Sequence, residues 1–203
     1  MQDEQASPND RDRISRLVWW TAGGVLCLSA LLFAFRYVSY QLSLADPLPF
    51  ADPRDALRQA GCTLEHYPEQ ERRHVERLPE GFRFNSNPPT SGPHDRTPAE
   101  WRVYARPQPE LALIHNLEHG GIVVTHARDL PRATLRAIHE WRNEDPTAVI
   151  VAPSMMRNSR VVLRAWTHAA RCPTFDREAF DSFRDAYRYR GPEREPKDEM
   201  LDD

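Results

Sequence analysis

The sequence predicts an α+β fold: one amino-terminal transmembrane helix followed by one small extracytoplasmic domain with a mixed sheet and a few helices. Three observations carry that prediction. Leu17 to Phe35 holds no charged residue. Three β-branched runs, Gly121 to Thr125, Ala148 to Val151 and Arg160 to Trp166, are bounded by Pro, Gly or Asn as strands are. Apolar residues recur at helical spacing between and after these runs, at Leu135, Ile138 and Trp141 and again at Phe180, Phe183 and Tyr187.

The uncharged stretch would span about 28 Å as a helix, close to the hydrocarbon thickness of a bilayer. Trp19 and Trp20 near its start and Tyr37 and Tyr40 after its end suit the headgroup level. Arg11, Arg13 and Arg16 precede it and only Arg36 follows closely, which predicts a cytoplasmic amino terminus and a periplasmic domain on the cell inner membrane. Cleavage as a secretory signal after Ser43-Leu44-Ala45 is the rival reading, although Ala45 lies far beyond the apolar core. The domain is exported in both. The resulting plan is a cytoplasmic tail over 1–16, a signal anchor over 17–36, a linker over 37–50, the domain over 51–193 and a disordered charged tail over 194–203.

Cys27 falls inside the apolar stretch, leaving Cys62 and Cys172 as an even pair that an oxidising envelope would join in a disulfide bond. Such a bridge is expected to staple the first helix of the domain to the last. Two buried free thiols are the alternative.

Within the domain, Asp52-Pro53 reads as the start of a helix with an apolar stripe of Ala56, Leu57 and Ala60, stopped by Gly61. Gly81 to Phe84 and Trp101 to Tyr104 alternate enough to predict short strands. Asp129 and Pro131 open a crossover helix between the first two β-branched runs, giving a β-α-β-β order. A last helix begins near Asp176 and stops at Gly191-Pro192.

The chemistry concentrates in two segments, NSNPPTSGPH (Asn85 to His94) and HNLEHGG (His115 to Gly121). Two prolines lock φ and Gly92 frees a turn, so the first is a shaped loop that ends in His94. His115 and His119 sit four apart, which puts two imidazoles on one face of a helical turn. Together these predict a transition-metal site, for zinc or copper, with His74 or Glu118 completing the shell. Met155 and Met156 would favour Cu(I) if they reached it, though packing is the commoner use of methionine. His66, His126, His139 and His168 are assigned structural contacts only.

HNLEH also matches the inverted zinc-protease pattern, but Gly120 and Gly121 follow at once, so at most a single helical turn is expected there. No serine sits in a nucleophile elbow and no Gly-rich phosphate loop is present, which leaves a metal-dependent hydrolase as the one enzymatic route. A net charge of -3 without a basic stripe excludes nucleic acid as a partner. The competing class is a metal-free interaction module that docks an envelope protein through its Pro-rich loop and exposed Trp101 and Tyr104.

Both strings, with Gly-Pro-Glu at Gly191 to Glu193, resemble a bacterial domain family of unknown function whose members carry a membrane anchor ahead of this signature. The resemblance covers Gly61 to Glu193. It implies a single compact extracytoplasmic domain and brings no activity with it.

Overall fold

The computed structural model describes residues 27–40, 52–154 and 160–201. These belong to two units, Met1–Ser43 and Leu44–Asp203. In the first, helix α1 is described over 27–40, with Leu28, Leu31, Leu32, Phe33 and Phe35 all exposed. No helix among the described residues is long and apolar enough to cross a membrane. The expected anchor begins at Leu17, and residues 17–26 lie outside the described residues, as do Met155 and Met156.

In the second unit the order is α2 (Arg54–Gln59), β1 (Thr63–His66), α3 (Glu110–Glu118), β2 (Ile122–His126), α4 (Arg132–Glu144), β3 (Val149–Pro153), β4 (Val161–Ala165), β5 (His168–Cys172) and α5 (Arg177–Tyr187), then a 3-10 turn at Lys197–Met200. The strands form one mixed sheet in the order β1-β5-β4-β2-β3. Only β2 and β3 run parallel, with α4 as their crossover; the other pairs are antiparallel.

The β-branched runs form three neighbouring strands, β4, β2 and β3, whose two faces are both covered, so β2 is buried at every position and has no need of polar alternation. One face carries Ile122, Val124, Val151 and Leu163 against Ile138 and Trp141 of α4, Phe180 and Phe183 of α5 and Leu57 of α2. The opposite face carries Val123 and Ile150 against Leu113, Ile114 and Leu117 of α3, joined by Trp101, Trp166 and Tyr189. Asp176 caps α5 by accepting from the Ala179 amide at 3.0 Å.

Several expectations are corrected. Gly81 to Phe84 is not a strand, and of Trp101 to Tyr104 only Val103 makes an isolated bridge, to Val151. Strands β1 and β5 were not expected. Helix α5 ends at Tyr187 instead of running to Gly191, because the Tyr189 amide turns to the Gly120 carbonyl at 2.7 Å and the Arg188 guanidinium to Asp145 at 2.7 Å. The tail is ordered through Leu201: Met200 is buried in the second cluster and its carbonyl accepts from the Ala148 amide at 2.7 Å. Cys62 and Cys172 form a disulfide with their Cα atoms 4.2 Å apart. It joins the α2–β1 junction to the end of β5, beside the Thr63–Arg171 pairing, and so staples strands where helices had been expected.

Candidate metal centre

The shaped loop is built by its own side chains. Ser86 Oγ accepts from the Thr90 amide at 3.0 Å, Ser91 Oγ accepts from the Gln70 amide at 3.1 Å, and the Asn87–Pro88 bond is cis. From the sheet, buried Arg164 on β4 donates Nη1 to the Pro89 carbonyl at 3.0 Å and to Glu110 at 2.7 Å, tying the loop to the start of α3. His94 then pairs with the chain upstream, donating its amide to Arg73 O at 3.1 Å while its carbonyl accepts from the Val75 amide at 2.8 Å. This bridge places His74 beside His94, with ring centroids 4.9 Å apart.

Helix α3 supplies the other half. It is a nine-residue helix, not the single turn expected, and HNLEH occupies its last turn, with His119 as the C-cap. Gly120, at φ +85°, turns the chain out of the helix into β2. Gly191 packs against the backbone of Glu118 and Gly120 so closely that a side chain has no room. Next to it, the Glu193 amide donates to the Glu118 carbonyl at 3.1 Å.

Two rings are held by their far nitrogens. His94 Nδ1 donates to Gly92 O at 2.9 Å and His115 Nδ1 to Asp95 O at 2.8 Å. In a neutral imidazole this leaves Nε2 as a bare lone pair, the form a metal takes, oriented by a backbone carbonyl. His94 Nε2 lies 2.9 Å from Glu118 Oε2 but off the hydrogen-bond axis, so this fully buried nitrogen has no properly directed partner. His115 Nε2 lies 2.9 Å from His119 Nε2.

Donor atoms of His74, His94, His115 and Glu118 lie within 4.8 Å of one another, with His74 exposed and the rest buried. His119, whose Nε2 lies 2.9 Å from His115 Nε2, also groups with Glu118 and Glu193. Glu193 went unnoticed as a candidate, although the Gly-Pro-Glu string held it. A cleft of about 620 Å³ lined by Arg72, His74, Glu118, Pro192 and Glu193 opens onto both groups.

The electrostatics favour neutral rings at His115 and His119 and the charged form at His94. Burial, reinforced by the neighbouring His119, pushes His115 down to about 4, and burial also lowers His119. Burial opposes protonation of His94, but Glu118 and the Gly92 carbonyl outweigh it and raise its pKa. Burial would raise Glu118, yet His94 holds it below the usual carboxylate range. Glu195, 3.5 Å from His119, is pushed up to about 7 by burial and by Glu199.

His66, His126, His139 and His168 fall outside both groups. The parts expected to dock a partner are mostly inside: Pro88 to His94 is buried throughout, Trp101 is 7% exposed and packs over Gly121, and Tyr104 is half-buried.

Among known proteins, no curated protein and no solved structure matches this chain. A family profile does, over residues 74–199, which contain every side chain of both groups. The chain therefore belongs to the family described as "Protein of unknown function (DUF3105)".

Proposed function

We propose that this is a membrane-anchored envelope protein whose extracytoplasmic domain binds a transition-metal ion, zinc or copper, through His74, His94, His115 and Glu118. The observation that carries the reading is the pair of buried rings, His94 and His115, each with Nδ1 spent on a backbone carbonyl, with His94 Nε2 2.9 Å from Glu118 Oε2 and donor atoms of both rings within 4.8 Å of that carboxylate. Burying the His94 Nε2 without a directed partner costs stability, and a metal ion accounts for that cost. Three imidazoles and one carboxylate suit Zn(II) or Cu(II), and exposed His74 leaves an entry side.

The envelope assignment draws on the uncharged stretch from Leu17, its arginine flank and the disulfide, which belongs to an oxidising compartment. The test is elemental analysis of the detergent-solubilised full chain, purified without a histidine tag. The expected result is stoichiometric zinc or copper, lost in His94→Ala and in His115→Ala. Sub-stoichiometric metal after reconstitution with both ions would overturn the reading.

A further inference from the structure

We propose that the centre takes a second divalent transition-metal ion beside the first, held by His119 and Glu193 and bridged to it by Glu118. This rests on reading His74, His94, His115 and Glu118 as a metal site. The metal-capable side chains fall into two groups with one shared member: Glu118 belongs to the first and, with His119 and Glu193, to the second. A carboxylate has two oxygens, and one shared between adjoining donor sets can link two ions roughly 3.5 to 4 Å apart, as in two-metal centres.

The Glu118 carboxylate bears this out in its contacts. It is 5% exposed, and its Oε2 lies 2.9 Å from His94 Nε2. Here Glu118 also lines the cleft together with Glu193, so an ion reaching one reaches the other.

His119 does not serve the first ion equally well. The first group already offers four donors, which complete a tetrahedral shell without it. On its outer side His119 Nε2 meets Glu195 at 3.5 Å and Glu193 at 3.8 Å. Glu193 brings the carboxylate oxygen that a second cation needs beside the first. Glu193 is held in place by backbone, since its amide donates to Glu118 O and Gly191 is seated against the same turn.

The test uses the full-length, untagged chain in detergent, loaded with Zn²⁺ for metal counting and X-ray absorption and with Cu²⁺ for electron paramagnetic resonance. The expected result is two ions per chain, a metal–metal distance of about 3.5 to 4 Å, and magnetic coupling in the copper form. Glu193→Gln, at a half-exposed side chain, should lower the count from two to one and abolish the metal–metal signal while leaving the unfolding midpoint of the metal-free chain unchanged. One ion in the unsubstituted chain would overturn the second ion and leave the first reading standing. None would overturn both. Two coupled ions retained in both Glu193→Gln and His119→Ala would overturn the ligand assignment.

Discussion

His115 is buried among other imidazoles, and its pH dependence follows from that. Its pKa falls from an ordinary value near 6.5 to about 4 on folding, so between these values the unfolded chain binds more protons than the folded one. Metal-free stability should therefore be full above pH 6.5 and decline as pH falls toward 4, by roughly 3 kcal/mol at most. Glu118, also lowered, adds a loss of the same sign further into acid. Glu195 acts oppositely: its pKa is raised to about 7, so its contribution is present in acid and fades as pH rises from about 4.5 to 7. Denaturant titrations of the metal-free chain across pH 4 to 8 check both signs. His115→Gln should flatten the acid limb, and Glu195→Gln should remove the decline toward neutral pH; unchanged slopes would refute the assignment. Much of this site was legible from residue types, since the i, i+4 spacing and the Pro-fixed loop pointed to His94, His115 and Glu118. The second group of His119 with Glu118 and Glu193 was not, because Glu193 is brought in by a turn that the sequence marks only as a helix stop.

Elements were legible where burial had left its mark on composition. Strands β2, β3 and β4 are buried along nearly their whole length and are rich in Val and Ile, whereas β1 (TLEH) and β5 (HAARC) are less buried and carry no such signature. Trp101 to Tyr104 alternates like a strand but is bonded as one bridge, since Trp101 folds inward over Gly121. Helix α3 was underestimated because Gly120 and Gly121 were weighed and the apolar LALI run before His115 was not. The turn at Gly191 shows how strictly the second group depends on element packing. A methyl there would meet the Glu118 carbonyl and the Gly120 amide, both backbone, which cannot yield cheaply. Gly191→Ala should therefore cost about 1 to 3 kcal/mol by overpacking and displace Glu193 from Glu118. Thermal unfolding measures the first effect, and metal affinity the second. A variant as stable as the parent would contradict the packing argument.

At the scale of the whole molecule, topology and compartment bear on the same bond. The Cys62–Cys172 bridge closes a separation of 110 residues, for which the chain-entropy model gives about 4.7 kcal/mol of stabilisation. Both cysteines are buried, and the bridge joins β5 to the α2–β1 junction, so its loss would loosen the edge of the sheet remote from β3. Paired Cys62→Ser and Cys172→Ser should lower the unfolding midpoint by many degrees. Formation of the bond in cells then reports where the domain resides, because thiols persist in the cytoplasm and are oxidised outside it. If Arg11, Arg13 and Arg16 hold the amino terminus inside, a reporter fused after Asp203 is active only outside, and both cysteines resist alkylation until reduced. Replacing those three arginines with Gln leaves Arg36 as the dominant flanking charge and should invert part of the population. The inverted chains would carry an inactive reporter and alkylatable thiols together. Free thiols at Cys62 and Cys172 in the unsubstituted chain, or reporter activity indifferent to the arginines, would overturn the orientation.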